Sequence, residues 1–159
     1  MKTIDVAKIA AQAAEEKLGM DIVALDVKHL TSLAEIFLFV GANSHTHVRA
    51  LEDAIRQTVA EKTDLSLIRT DGQRGHLWRV LDFGSLLVHI MEEKTREFYA
   101  VERLWNAAKQ VAVSEKKAPA APPIHLKGPA RGKTKGKKSK GKPSGKKSVK
   151  KKSAKKKKK

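Results

Sequence analysis

"EIFLFVGA", Glu35 to Ala42, is the stretch on which the fold turns. From Ile36 to Val40 it is apolar without interruption, and β-branched and aromatic residues dominate it. A strand apolar on both faces belongs in the centre of a covered sheet, so helices must pack over it. "DIVALDV", Asp21 to Val27, reads as a strand just before it. Further upstream Val6, Ile9, Ala10 and Ala13 recur at helical spacing; Thr3 is placed to cap that helix and Gly19 to end it in a left-handed conformation.

Downstream, Ser44 is a good N-cap for a crossover helix with Val48, Leu51, Ile55 and Val59 on one face and Glu52, Arg56 and Glu61 on the other. A short strand near Ser66 to Arg69 follows, then a turn at Asp71-Gly72. Next comes a hairpin, Leu77 to Leu81 and Leu86 to Met91, in which Gly84 supplies the positive φ of a tight turn. A last helix is expected from about Lys94 to Val111, with Phe98, Val101, Trp105 and Ala108 as its stripe. The order α-β-β-α-β-β-β-α predicts an α/β fold: a mixed sheet of about five strands covered by helices, with a right-handed β-α-β crossover.

Charge divides the chain in two. Residues 1–113 hold 14 Lys and Arg against 16 Asp and Glu, a net of −2; residues 114–159 hold 20 against 1, a net of +19, giving the total of +17. The pI of about 10.2 therefore describes the second segment. That segment also holds all five prolines and no aromatic residue. Its composition cannot offset the roughly 1–2 kcal/mol per residue that ordering a backbone costs. The sequence thus predicts a globular domain over 1–113 and a disordered, basic Lys/Pro/Gly/Ser-rich tail over 114–159.

Several chemistries are excluded. There is no cysteine, so disulfides, thiolate catalysis and cysteine zinc sites are absent. The longest apolar run, Ile36 to Val40, is too short to cross a bilayer, and Asp5, Glu15 and Glu16 argue against a targeting peptide. A cytoplasmic protein without membrane contact is expected. His45 and His47 lie two apart at a helix start and point in different directions, which does not make a metal site with His89; His29 and His76 lie in loops and His125 in the tail. Asp82 and His89 could face one another across the hairpin as a general base with a serine as nucleophile, but no G-x-S-x-G elbow accompanies them. Asp82 is better read as a turn carboxylate that accepts backbone N–H groups.

A nucleotidyltransferase would need two strand carboxylates near the turn after Gly41, where this chain reads "ANSHTHVRA" with no acid before Glu52. Phosphate-cradling glycine loops are missing too. No catalytic, cofactor-binding or metal-binding residue is expected, and the chain is read as a non-enzyme. Trp78 remains. Alternation puts Trp78, Val80 and Asp82 on one face and Leu77, Arg79 and Leu81 on the other, both mixed, so periodicity does not say which way the indole points. An indole beside charged groups in a hairpin has the composition of a protein-binding hot spot.

"DIVALDV", "HVRALEDAI", "LWRVLDFG", "LLVHIM" and "REFYAVERLW" together resemble, in order and spacing, the ribosomal silencing factor (RsfS, Iojap) family over about residues 4–112. The resemblance implies a nucleotidyltransferase-like fold empty of catalysis. It further implies docking on the large ribosomal subunit through ribosomal protein L-fourteen, which blocks joining of the small subunit and represses translation. Trp78, Asp82, Phe83 and His89 are then the expected contact residues. His47, Gly72, Gly84, Arg96, Tyr99, Glu102, Leu104 and Trp105 match the family pattern, with core packing favoured over contact for Tyr99 and Trp105. Some members dimerise, so a homodimer is compatible with the resemblance. The chain departs from the pattern at Glu35, Thr46 and Ser85, where an aspartate, an arginine and an acid are usual, and in its lysine tail.

In that tail Lys133, Lys135, Lys137 and Lys138, then Lys150, Lys151, Lys152, Lys155, Lys156 and Lys157, form a polycation of the kind that binds phosphate backbones by counterion release. It is expected to add contacts to ribosomal RNA. A solubilising extension is the bland reading. The rival function is a general nucleic-acid-binding protein that acts through its tail.

Overall fold

In the computed structural model, which describes residues 1–72 and 77–113, every residue of the strand Ile36–Ala42 is buried. This strand, β2, runs between an antiparallel neighbour, β1 (Met20–Asp26), and a parallel one, β5 (Leu86–Glu92). The sheet continues outward from β5 through β4 (Trp78–Asp82) to β3 (Arg69–Asp71), and on the other side through β1 to β6 (Lys109–Val111). The described residues thus carry six strands in the order β3-β4-β5-β2-β1-β6.

Alternation along β2 divides the core. Ile36, Leu38, Val40 and Ala42 meet the helices α1 (Thr3–Glu16) and α2 (His45–Lys62) in one cluster, while Phe37 and Phe39 join a second cluster on the opposite face. The stripe of α2 is as expected: Val48, Leu51, Ile55 and Val59 are fully buried, and Ser44 caps the helix by accepting the N–H of His47 at 3.2 Å. The charged pair Arg79 and Glu52 lies on this helix side, with Arg79 Nε 2.9 Å from Glu52 Oε2.

Four expectations need correction. Thr3 is not the cap of α1: Lys2 is, and the Thr3 hydroxyl instead donates to Glu35 Oε2 at 2.7 Å. Gly19 is not the left-handed residue after α1. Leu18 takes φ 61, the Leu18 N–H bonds the carbonyl of Glu15, and the Gly19 N–H bonds that of Ala14. This is the paired closure that a left-handed residue one step past the cap allows. Gly19 is needed for another reason: a Cβ there would sit 2.9 Å from the Ala14 carbonyl oxygen and 3.0 Å from Val40 Cγ1. The strand expected at Ser66 to Arg69 begins only at Arg69 and takes in Asp71, with Gly72 alone at positive φ.

The largest difference is at the C-terminal end of the domain. The expected helix over 94–111 is a seven-residue helix, α3 (Glu93–Tyr99), a left-handed break at Ala100, a 3-10 helix (Val101–Trp105) and then β6, which pairs with β1. An ion pair accounts for the break. Arg96 Nε bonds Glu102 Oε1, yet six residues along an unbroken helix are about 240° apart around the axis and could not meet. The chain folds back at Ala100, and the freed segment supplies the sixth strand.

Candidate docking face

The sheet face opposite α1 and α2 carries three of the four expected contact residues, Trp78, Asp82 and His89. Along β4 the side chains of Trp78, Val80 and Asp82 fall on it, and along β5 those of Leu87, His89 and Met91. Cover on this side comes from α3, the 3-10 helix and Trp105, whose ring meets Phe37 edge-on at 5.0 Å between centroids. This cover is thinner than the two helices opposite. Trp78 is consequently half-buried, its indole tilted between His89 at 6.0 Å and Tyr99 at 5.3 Å.

Beside Trp78 opens a groove of about 460 Å³ lined by Gly72, Leu77, Trp78, Val80, Thr95 and Tyr99. Tyr99 is 56% exposed and packs edge-on against Phe98, which is 81% exposed. Aromatic surface is thus presented to solvent at a groove, the arrangement that binding hot spots use. The acids Glu92 and Glu93, at the start of α3, and Asp71, next to Gly72, lie nearby in the chain; Asp71 is bridged by Arg69 at 3.0 Å.

Two of the four residues expected at the contact are out of reach of a partner. Phe83 is buried on the helix side, in the cluster with α1 and α2. His89 is only 8% exposed, stacked 5.0 Å from Phe39 at an interplanar angle of 12°. Burial pushes the His89 imidazole down from 6.5 to about 4. Asp82 is partly exposed, and its Oδ1 accepts the Gly84 N–H at 2.8 Å inside the hairpin turn.

The family-pattern residues are mostly scaffold. A Cβ on Gly72, at φ +86, would overlap the Trp78 carbonyl oxygen, so this glycine lets β3 close against the Trp78 strand. Gly84, at φ +81, turns the hairpin. His47 accepts the Asn43 N–H at Nδ1, 3.2 Å away, and its Nε2 lies 2.7 Å from the Lys17 carbonyl, tying the start of α2 to the end of α1. Arg96 binds Glu102 and lies over Gly41, where a Cβ would come within 3.2 Å of its Nη1. Trp105 packs into the second core cluster, whereas Tyr99 and Leu104, the latter 76% exposed, do not.

Phe98, which the periodic stripe predicts to be buried, is instead among the most exposed apolar residues, and Leu77 and Thr95 join the groove lining without any pattern that marks them. Periodicity carries no signal of this, because the left-handed break at Ala100 takes Phe98 out of register with Val101 and Trp105. His76, His125 and the tail lysines from Lys133 to Lys157 fall outside the described residues. Among the described residues no three His, Asp or Glu side chains are grouped to hold a metal, and no helix is long and apolar enough to cross a membrane.

The described fold is thus a mixed α/β sheet with an aromatic groove on its thinly covered face. The chain belongs to the family described as ribosomal silencing factor during starvation, whose model matches residues 1–156. It is similar to the ribosomal silencing factor RsfS of Bacillus subtilis, 31% identical over 108 residues, which are 68% of this chain and 91% of that protein. The RsfS of Chromobacterium violaceum is 29% identical over 109 residues, 69% of this chain and 88% of its own length. A crystal structure of a Chromobacterium violaceum protein superposes with a TM-score of 0.64 at 28% identity, covering 70% of this chain and 92% of that one.

Proposed function

We propose that this chain docks on the large ribosomal subunit through ribosomal protein L-fourteen and blocks joining of the small subunit, repressing translation in the cytoplasm without catalysing a reaction. The observation that carries this reading is the open groove formed by Trp78 and Tyr99 beside exposed Phe98, in a chain of this family. An apolar anchor from the partner enters that groove, and Asp82 at the far end of β4 lends charge. Residues 1–113 act as the docking domain. Residues 114–159, with their net charge of +19, add affinity for ribosomal RNA by counterion release, which makes the added affinity salt-dependent.

Sedimentation with separated ribosomal subunits tests this. The protein should travel with the large subunit and lower the fraction of joined ribosomes, and Trp78→Ala should lose both effects. Deleting residues 114–159 should weaken binding and flatten its dependence on salt. Migration with the small subunit alone overturns the reading. The segregation of charge favours one rival, a general nucleic-acid-binding protein acting through its tail. That rival is correct if Trp78→Ala binds large subunits normally and tail deletion abolishes all binding. The sedimentation coefficient of the free protein reports whether it is a homodimer.

A further inference from the structure

Trp78 and His89 sit diagonally across the antiparallel pair β4 and β5, where Trp78 is opposite Met91 and His89 opposite Val80. The indole Nε1–H of Trp78 donates to His89 Nδ1 over 3.4 Å. An imidazole nitrogen that accepts carries no proton, so the neutral ring bears its hydrogen on Nε2. That nitrogen is buried and has no hydrogen-bond partner among the described residues.

This arrangement is costly for a ring that merely fills space. A buried N–H without an acceptor carries the full desolvation penalty of the group, and a phenyl ring in the same place would carry none. The surroundings are otherwise apolar or aromatic: Phe39 stacks on His89, Phe37 meets it edge-on at 5.6 Å, and Val80 lies opposite. Four titratable groups on the packed elements have other partners. Asp82 accepts the Gly84 N–H, Arg96 and Glu102 bind each other, and Tyr99 faces the far side of the indole. What His89 offers that an apolar residue could not is one lone pair, directed at Trp78.

We infer that His89 is a positioning residue for docking: its Nδ1 holds the Trp78 indole in the orientation that lines the groove, and it acts on a partner only through Trp78. The inference rests on the reading of Trp78 as the docking residue. Phe39 fixes the plane of the imidazole, the imidazole fixes the indole N–H, and Tyr99 closes the opposite side. The groove wall is thereby preorganised, which saves the cost of ordering a large side chain when the partner binds.

Nitrogen-15 NMR of the free protein gives the first test, because the His89 tautomer and the Trp78 indole N–H are both read without any ribosome. The Nε2-protonated form is expected; an Nδ1-protonated ring overturns the proposal. In the second, His89→Phe keeps the volume and removes the lone pair, while His89→Gln keeps an acceptor. His89→Phe should shift the Trp78 indole resonance and bind large subunits roughly three- to tenfold more weakly, the equivalent of one neutral hydrogen bond. His89→Gln should recover most of both. Wild-type affinity and an unchanged indole resonance in a folded His89→Phe protein overturn the proposal; should that variant not fold, the tautomer and His89→Gln decide. Normal large-subunit binding by Trp78→Ala would instead remove the docking reading while leaving the tautomer result standing.

Discussion

The guanidinium of Arg79 and the carboxylate of Glu52 face each other across the interface of β4 and α2, Nε to Oε2 at 2.9 Å, with side chains only 7% and 14% exposed. Among the described residues Nη1 of the same guanidinium is buried without a hydrogen bond, and Nε, despite its short approach to Glu52, has no partner in hydrogen-bond geometry. The distance is the better guide to the electrostatics, since attraction between charges depends little on angle. Glu52 is therefore the anion that makes a buried arginine tolerable.

Removing that anion should be expensive. Glu52→Ala is expected to destabilise the domain by about 3 kcal/mol, because it leaves a buried cation without its counter-charge. Replacing both residues by apolar ones of similar volume, Glu52→Leu with Arg79→Met, should cost far less, since neither charge is then desolvated. Urea denaturation of the two variants checks this. A double variant that loses as much as Glu52→Ala would show that the loss does not come from an uncompensated Arg79 charge.

Gly72 and Gly84 both have positive φ, yet they should respond differently to alanine. At Gly84 the new methyl would meet only the end of the Ile68 side chain at 3.3 Å, so the left-handed backbone dominates, at about 1–2 kcal/mol. At Gly72 the methyl would overlap a backbone oxygen of Trp78, which cannot move without shifting β4. Gly72→Ala should therefore cost more than Gly84→Ala in thermal or urea unfolding. It should also disturb Trp78 fluorescence, which Gly84→Ala should leave nearly unchanged.

How far the sequence discloses the molecule is clearest where local pattern and tertiary contact agree. In β2 the unbroken apolar run can be satisfied only between two covered faces, and in α2 a cap and a four-residue stripe name the same helix; both are legible. The hairpin is legible for the same reason, since Asp82 and Gly84 are turn residues flanked by apolar runs. The C-terminal segment is not. Its periodic stripe is genuine as far as Val101, Trp105 and Ala108 pack on the second core cluster, but the Arg96–Glu102 contact across the break and the long-range pairing of Lys109–Val111 with β1 are facts that periodicity does not encode. Within the candidate site, the importance of Trp78 could be read from its neighbours. The burial of Phe83 and His89 could not, because alternation leaves both faces of the hairpin mixed.

Leu18 offers a gain in stability. It takes φ 61, where a β-carbon is strained by about 1–2 kcal/mol, and its side chain is 78% exposed, so it contributes little burial in return. Leu18→Gly relieves that strain, offset partly by the greater freedom of glycine in the unfolded chain. The expected net is a stabilisation of about 0.5–1 kcal/mol, seen as a higher urea midpoint with an unchanged slope. Destabilisation would mean that Leu18 packs against something the domain keeps.

The buried imidazole of His89 sets a pH dependence whose sign follows from its protonation. In the unfolded chain the ring takes up a proton near pH 6.5, whereas in the folded domain burial delays this to about pH 4. Between those values the unfolded state binds more protons, so lowering the pH favours unfolding. The contribution of His89 is fully present above about pH 6.5, falls as the pH drops through that value, and is lost by about pH 4. Its full size is on the order of 3 kcal/mol, from 1.36 kcal/mol for each pH unit of separation. Unfolding free energies of wild type and His89→Gln between pH 7.5 and 4 isolate it from the carboxylates, which both proteins share. The wild type should lose more stability than the variant across this range, with the difference growing steadily below pH 6.5; parallel curves would show that His89 titrates alike in both states.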